Sequence, residues 1–211
     1  MPANRVHLVR HGEVFNPNGV LYEQLPNFHL SDRGKLMALA AAQELKSQKA
    51  PIKAIFSSPL VRAQESAEPF EELFKLEIQT DPRLIEPTNV FRGKKMGAKN
   101  LALKPHLWWH FRNPATPSWG EPYQSIIARM HLAMLSAAES VSSGDVVLVT
   151  HQLPIWITHL SRQGEKLAHD PRKRRCSLSS ITTFDYFEGW FAEVNYSEPA
   201  KNITAIDNGA V

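Results

Sequence analysis

Only one cysteine, Cys176, occurs among 211 residues, which excludes an internal disulfide and any cysteine-based zinc cluster. No apolar run approaches the about 18 residues that a membrane-spanning helix requires. Neither an internal repeat nor a low-complexity tract is present, and charge of one sign is scarce. The 24 Lys and Arg residues face 21 Asp and Glu, a net charge of +3. That balance suits an anionic small molecule and lacks the basic face of a nucleic-acid binder. The first residues, Met1 to Arg5, lead straight into a strand pattern without the apolar stretch of a signal peptide. The expectation is a soluble, cytoplasmic chain with neither membrane nor nucleic-acid partners.

What is there is globular. Apolar residues make up 43% and charged residues 21%, and a chain of this length buries roughly 70% of its unfolded surface. One domain over residues 1–211 is expected, with an insertion at about 81–122. That stretch is rich in proline and holds Trp108, Trp109 and Trp119, read as packing anchors of a cap-like segment.

Strand and helix patterns alternate through most of the chain. Val6-His7-Leu8-Val9, Ala54-Ile55-Phe56 and Val146-Val147-Leu148-Val149 read as buried strands, with a shorter one near Leu76 to Gln79. Asn16 to Asn27 is irregular. Ser31 is placed to cap a helix running to about Gln48, its apolar face drawn from Met37, Ala41 and Leu45 with Leu36 and Ala40 beside them. A helix carrying Arg62 is expected to end or restart near Pro69. Others run from about Tyr123 to Ser140 and from near Pro154. Ser177 to Tyr186, a Glu188-Gly189 turn and Trp190 to Tyr196 read as a terminal hairpin. The pattern predicts an α/β fold, a three-layer α/β/α sandwich on a mostly parallel sheet. The hairpin could cover the sheet edge or pair with a second copy, which leaves a homodimer open.

Three of the apolar strands end in polar groups suited to phosphate: Arg10-His11-Gly12, Ser57-Ser58 with Arg62 following, and Thr150-His151. Ligands in open α/β sheets bind beyond the carboxyl ends of the strands. If these three strands are neighbours, two guanidiniums and two imidazoles converge on one anion site.

These blocks resemble the histidine phosphatase (phosphoglycerate mutase-like) superfamily. The resemblance rests on Leu8-Val9-Arg10-His11-Gly12-Glu13, Leu30-Ser31-Asp32-Arg33-Gly34, Ser57 to Ala63, Gly120-Glu121 with Arg129, and Val147 to His151, in that order. It implies a phosphatase that hydrolyses small phosphomonoesters through a phosphohistidine on His11, with Arg10, Arg62 and His151 holding the phosphoryl oxygens. His151 must be protonated to help. Leu84-Ile85-Glu86 fits the start of the block that carries the proton donor, which makes Glu86 the general acid and Glu13 the alternative. Phe91-Arg92-Gly93 departs from that block's usual Trp-Glu-Gly. Pro17 stands where an asparagine is common, leaving Asn16 as a phosphate contact. Gln152 follows the second histidine in place of glycine and is a further contact. No metal or other cofactor is expected, because side chains supply the positive charge. Phosphoglycerate mutase-type transfer is the alternative activity, and a non-catalytic module that binds phosphorylated ligands is a third reading.

The remaining histidines, His7, His29, His106, His110, His131, His159 and His169, read as ordinary surface or core residues. The run Arg172-Lys173-Arg174-Arg175 reads either as a solvated loop or as a rim that draws in anions.

Overall fold

The computed structural model describes residues 2–88, 92–93 and 120–204. Most of the expected insertion, with Trp108, Trp109, Trp119, His106, His110 and Phe91, lies outside the described residues.

Six strands form one sheet: β1 (Arg5–Arg10), β2 (Ile52–Ser57), β3 (Ile78–Thr80), β4 (Asp145–Thr150), β5 (Ile181–Phe187) and β6 (Trp190–Ser197). Their order across the sheet is β3-β2-β4-β1-β5-β6. The pairs β3–β2, β2–β4 and β4–β1 are parallel, and β5 and β6 extend the sheet antiparallel. Among the described residues four helices flank it: α1 (Asp32–Ser47), α2 (Val61–Phe74), α3 (Tyr123–Glu139) and α4 (Gln152–Gln163).

Alternation along the strands assigns the helices to two faces. Val6, Leu8, Val146 and Leu148 pack with α3 and α4, whereas Val9, Ile55, Val147 and Val149 pack with α1 and α2. Every residue of β4 is buried, as expected of a central parallel strand covered on both faces. The three-layer α/β/α sandwich is therefore present. Among the described residues no helix is long and apolar enough to cross a membrane.

Local chemistry explains where the elements begin and end. Ser31 caps α1, its hydroxyl accepting the Gly34 N–H. The buried face of α1 is Met37, Ala38, Ala41, Ala42 and Leu45. Leu36, expected beside it, is 57% exposed, because the stripe turns the other way around the helix. The helix expected to stop or restart at Pro69 continues to Phe74. A proline there removes one helical hydrogen bond, but Phe70 just beyond it is fully buried against α1 and the sheet and holds the last turns in place. Lys75 then closes α2 in the left-handed region (φ 60°), so β3 starts at Ile78, later than the Leu76 expected.

The helix expected near Pro154 starts at Gln152, with His151 as its N-cap. Pro154 falls in the first turn, where the missing N–H has no helical partner to lose. Ser177 to Ser180 is a turn, closed by Ser180 N–H donating to Ser177 O, so β5 begins only at Ile181. The hairpin itself turns at Glu188 and Gly189, both with positive φ (46° and 85°), the geometry that suits the twist of antiparallel strands.

Candidate active site

The carboxyl ends of β2, β4 and β1 lie side by side. Arg10 pairs with Thr150 across β1 and β4, and Ser57 with Val149 across β2 and β4. Backbone hydrogen bonds carry this register one residue past each strand, from His11 N–H to Thr150 O and from Ser58 N–H to Val149 O. The loop after β1 runs hard against the start of α1. A Cβ on Gly12 would collide with the Gly34 carbonyl, and one on Gly34 with the Glu13 carbonyl, so both positions require glycine. Gly12 N–H donates to Ser66 Oγ on α2 (3.0 Å), which ties the same loop to a second helix.

His11 is 2% exposed. Its Nδ1 donates to its neighbour's carbonyl, Gly12 O, at 2.8 Å. That contact places the ring proton on Nδ1 and leaves the lone pair on Nε2. Burial, then the Arg62 and Arg10 charges, hold its pKa well below 6.5. The imidazole is thus neutral near pH 7, the form able to attack phosphorus. The His151 ring stands 5.2 Å away, centroid to centroid.

Two buried guanidiniums surround this pair. Arg10 donates from Nη1 to Cys176 O (2.7 Å), which fixes its plane. Arg62, 1% exposed, donates from Nη2 to Glu23 O (2.6 Å) and to His151 Nδ1 (3.2 Å), and its charge lies 4.7 Å from the centre of the Tyr22 ring. Arg62 Nε and Nη1 are buried with no hydrogen-bond partner among the described residues. Buried donors of this kind cost about 1–3 kcal/mol each unless a ligand accepts from them.

A guanidinium only donates, so His151 Nδ1 accepts and its proton sits on Nε2, which donates to Ser58 Oγ (2.7 Å). Burial, followed by the charges of Arg62 and its neighbours, holds the His151 pKa well below 6.5. In the chain alone His151 therefore favours the neutral form. A phosphoryl dianion beside Nδ1 would reverse that balance.

Glu86 completes the opposite side. Its Oε2 is 3.7 Å from His151 Nδ1, and burial raises its pKa against the opposing pull of Arg62, Arg174, Arg10 and Arg129. A raised carboxyl pKa shifts Glu86 toward the protonated form that a general acid needs. Its segment is held by side chains. Thr150 Oγ1 donates to Leu84 O (2.6 Å), Gln24 donates to Glu86 O, and Arg129 donates to Arg83 O while pairing with Glu121 at 3.0 Å.

A neutral imidazole, two guanidiniums, a second imidazole and a carboxyl group thus meet beside adjacent strand ends. The profile of the histidine phosphatase superfamily (branch 1) matches residues 6–198. The chain belongs to this superfamily. It is 47% identical over 197 residues to an uncharacterised protein of Mycobacterium tuberculosis, covering 93% of this chain and 96% of the other. It is 31% identical over 182 residues to a 2,3-bisphosphoglycerate-dependent phosphoglycerate mutase of Thermoplasma acidophilum, covering 82% and 84%. Among solved structures, YhfR of Bacillus stearothermophilus shares the fold with a TM-score of 0.74 at 23% identity, covering 90% of this chain and 94% of that one.

In this member of the histidine phosphatase superfamily, Arg10, His11, Arg62, Glu86 and His151 come together at one site. Asn16 instead closes its own loop, its amide donating to Val20 O (2.9 Å) and accepting from Val20 N–H (3.2 Å). Glu13 accepts from Ser31 Oγ (2.6 Å) and pairs with Arg33 (3.3 Å) at the α1 cap. Gln152 opens α4 beside His151 and accepts from Arg174 Nη1 at 3.1 Å.

Several contributors escaped the sequence reading. Tyr22 and Glu23 sit in a stretch with no periodicity to mark them, and Ser66 looked like a helix residue only. The Cys176 carbonyl is invisible to any side-chain motif. Arg174 was hidden in the basic run, whose members divide: Arg172, Lys173 and Arg175 are exposed, and Arg174 is half-buried.

Proposed function

We propose that this chain is a phosphatase that hydrolyses small phosphomonoesters through a phosphohistidine on His11, without a metal ion. The observation that carries this reading is a buried neutral His11, held by Gly12 O with its Nε2 lone pair left for attack, beside the two unsatisfied Arg62 donors. The phosphoryl oxygens would occupy those donors together with Arg10 and His151.

In the first step His11 Nε2 bonds to phosphorus as the P–O ester bond breaks, and Glu86 gives its proton to the leaving alcohol oxygen. In the second, the Glu86 carboxylate takes a proton from water as the water oxygen bonds to phosphorus and the P–N bond breaks, releasing phosphate and neutral His11. Charge that builds on the equatorial oxygens is met by guanidiniums already in place, the arrangement in which electrostatic stabilisation is largest.

A mutase reading has one specific observation in its favour, the 31% identity to the Thermoplasma acidophilum protein named as a phosphoglycerate mutase. In that case the phosphohistidine returns its phosphoryl group to a second oxygen of the bound acid instead of to water.

Phosphate release from a panel of phosphomonoesters in EDTA, with wild type against His11→Ala, tests the proposal. Release that survives EDTA and falls about 10⁴-fold or more in His11→Ala is expected, as for loss of a nucleophile. Undiminished release in the variant would refute it. Interconversion of phosphoglycerates without phosphate release would establish the mutase.

A further inference from the structure

β5 runs antiparallel to β1, so its start lies beside the carboxyl end of β1, with Val9 opposite Ile181. The segment just before it, residues 176–180, holds Arg10 at both ends. Ser180 O accepts from the Arg10 backbone N–H (3.1 Å), and Cys176 O accepts from guanidinium Nη1 (2.7 Å). Two backbone carbonyls of one turn thus set where this charge points. Inside the turn Ser179 takes a left-handed conformation (φ 53°). A residue other than glycine is strained there and persists only where the surrounding structure over-determines it.

That surrounding structure is the end of β6. Ser177 N–H donates to the Tyr196 hydroxyl (3.0 Å), and Ser177 Oγ donates to Glu198 Oε1 (2.6 Å). The Tyr196 hydroxyl donates to the same Glu198 oxygen (2.7 Å), which closes a ring of hydrogen bonds. Burial raises the Tyr196 pKa, so its proton stays for Glu198, while the Ser177 and Tyr196 hydroxyls hold the Glu198 pKa down. Beside this ring of bonds, the Arg175 guanidinium lies 4.4 Å from the centre of the Tyr196 ring and pairs with Glu193. Leu178 packs with Met37 and with Ala200, just past β6. The path from β6 to the phosphoryl side therefore runs through Tyr196 and Glu198, the backbone of the turn, and the Cys176 carbonyl.

We propose that Tyr196, with Glu198, is a positioning residue for phosphoryl transfer: it holds the 176–180 turn so that Cys176 O aims the Arg10 guanidinium at the phosphoryl group. The inference rests on the phosphoryl site proposed above and adds a remote determinant of its grip. If Tyr196 served folding alone, its loss would cost folded protein and leave the remaining sites unchanged.

Inorganic phosphate titrated calorimetrically against wild type and Tyr196→Phe separates these cases. Affinity reads the aim of Arg10, and stoichiometry reads the fraction folded. Tyr196→Phe keeps the ring beside Arg175 and removes the hydroxyl. A Kd weaker by about tenfold at an unchanged number of sites is expected, the scale of a misplaced binding group. Glu198→Ala should act alike, and Glu198→Gln, whose amide oxygen still accepts from both hydroxyls, should lose less. With p-nitrophenyl phosphate a similar factor should appear in kcat/KM. It should shrink toward one when Arg10→Ala is already present, because residues that act through one group are not additive. Unchanged phosphate affinity in Tyr196→Phe, or an equal loss with and without Arg10, would overturn the positioning role. Weaker phosphate binding in Tyr196→Phe, without turnover of any ester by wild type, would refute the phosphatase and keep that role. Turnover with the phosphate affinity unmoved would do the reverse, and a wild type that binds no phosphate would remove both.

Discussion

The two sides of the site are built differently. On the phosphoryl side, Arg10, His11 and His151 sit at or one residue beyond adjacent parallel strand ends, and Arg62 lies in the first turn of α2, so the backbone ladder sets their spacing. On the side proposed for the leaving group, Glu86 lies outside strands and helices, and its segment is placed by side-chain ties from Thr150, Gln24 and Arg129. A strand end cannot move without disturbing the sheet, whereas a tethered loop can be re-aimed by changing one tether. Under the proposed reaction, the group common to every phosphomonoester would be met by the rigid half, and the group that differs among them by the half that can vary at small cost to the fold.

This contrast breaks first at the two charges that define it. Glu86→Gln should lower kcat/KM about 10²–10⁴-fold for alkyl phosphates, which need a proton on the leaving oxygen, and much less for p-nitrophenyl phosphate, which does not. Arg62→Ala should lower it about 10²–10³-fold for both, because the phosphoryl oxygens are the same. Comparing each variant on the two esters is the measurement. Equal losses in Glu86→Gln would deny it the acid's role, and an ester-dependent loss in Arg62→Ala would dissolve the division between halves. A finer cut is Thr150→Val, which deletes the hydroxyl that holds Leu84 O and keeps the shape of β4. About a tenfold fall in kcat on alkyl phosphates is expected, with little change on p-nitrophenyl phosphate. Restoration by Thr150→Ser would tie the loss to the hydroxyl.

The same division explains what could be read in the sequence. Arg10, His11, Arg62 and His151 were legible because each follows a short apolar run whose end is also the end of a strand, so local pattern and site position coincide. The order β2-β4-β1, which makes them neighbours, was only a condition until the sheet was seen. Glu86 was found through Leu84-Ile85-Glu86, yet that segment's ties span 62 and 66 positions in sequence, and no local spacing encodes those. Arg174 shared its composition with three exposed neighbours, and burial alone tells them apart. Leu36 and Pro69 show the converse error, where a local rule was sound and packing at the Met37–Ala38 side or beneath Phe70 decided otherwise. Asn16 and Glu13 were polar residues near His11 in sequence, and the structure shows Asn16 bonded to Val20 within its loop and Glu13 bonded to Ser31 at the α1 cap.

The smallest effect concerns stability, and it follows from the rigid half alone. His11 and His151 are held neutral by burial and by Arg62, with pKa values well below 6.5, whereas the unfolded chain regains about 6.5 for both. Below that pH the unfolded state binds protons that the folded state refuses, so folding stability falls as the pH drops. Each histidine contributes a slope approaching about 1.4 kcal/mol per pH unit under pH 6.5, until its folded-state pKa is reached. Glu86 works in the opposite sense: its raised pKa makes the folded state hold a proton that the unfolded chain has lost, which favours folding as the pH falls. Two histidines against one carboxyl leave a net loss from this cluster on acidification. Denaturant unfolding of wild type and His11→Asn at pH 8, 6.5 and 5.5 isolates one histidine's share, since every other group is common to both. The variant should gain on the wild type by about 1 kcal/mol between pH 6.5 and 5.5 and by little between pH 8 and 6.5. A difference that stays constant across all three would mean that His11 takes up its proton in the folded chain as readily as in the unfolded one, and that the guanidinium-lined half is more open to water than its burial implies.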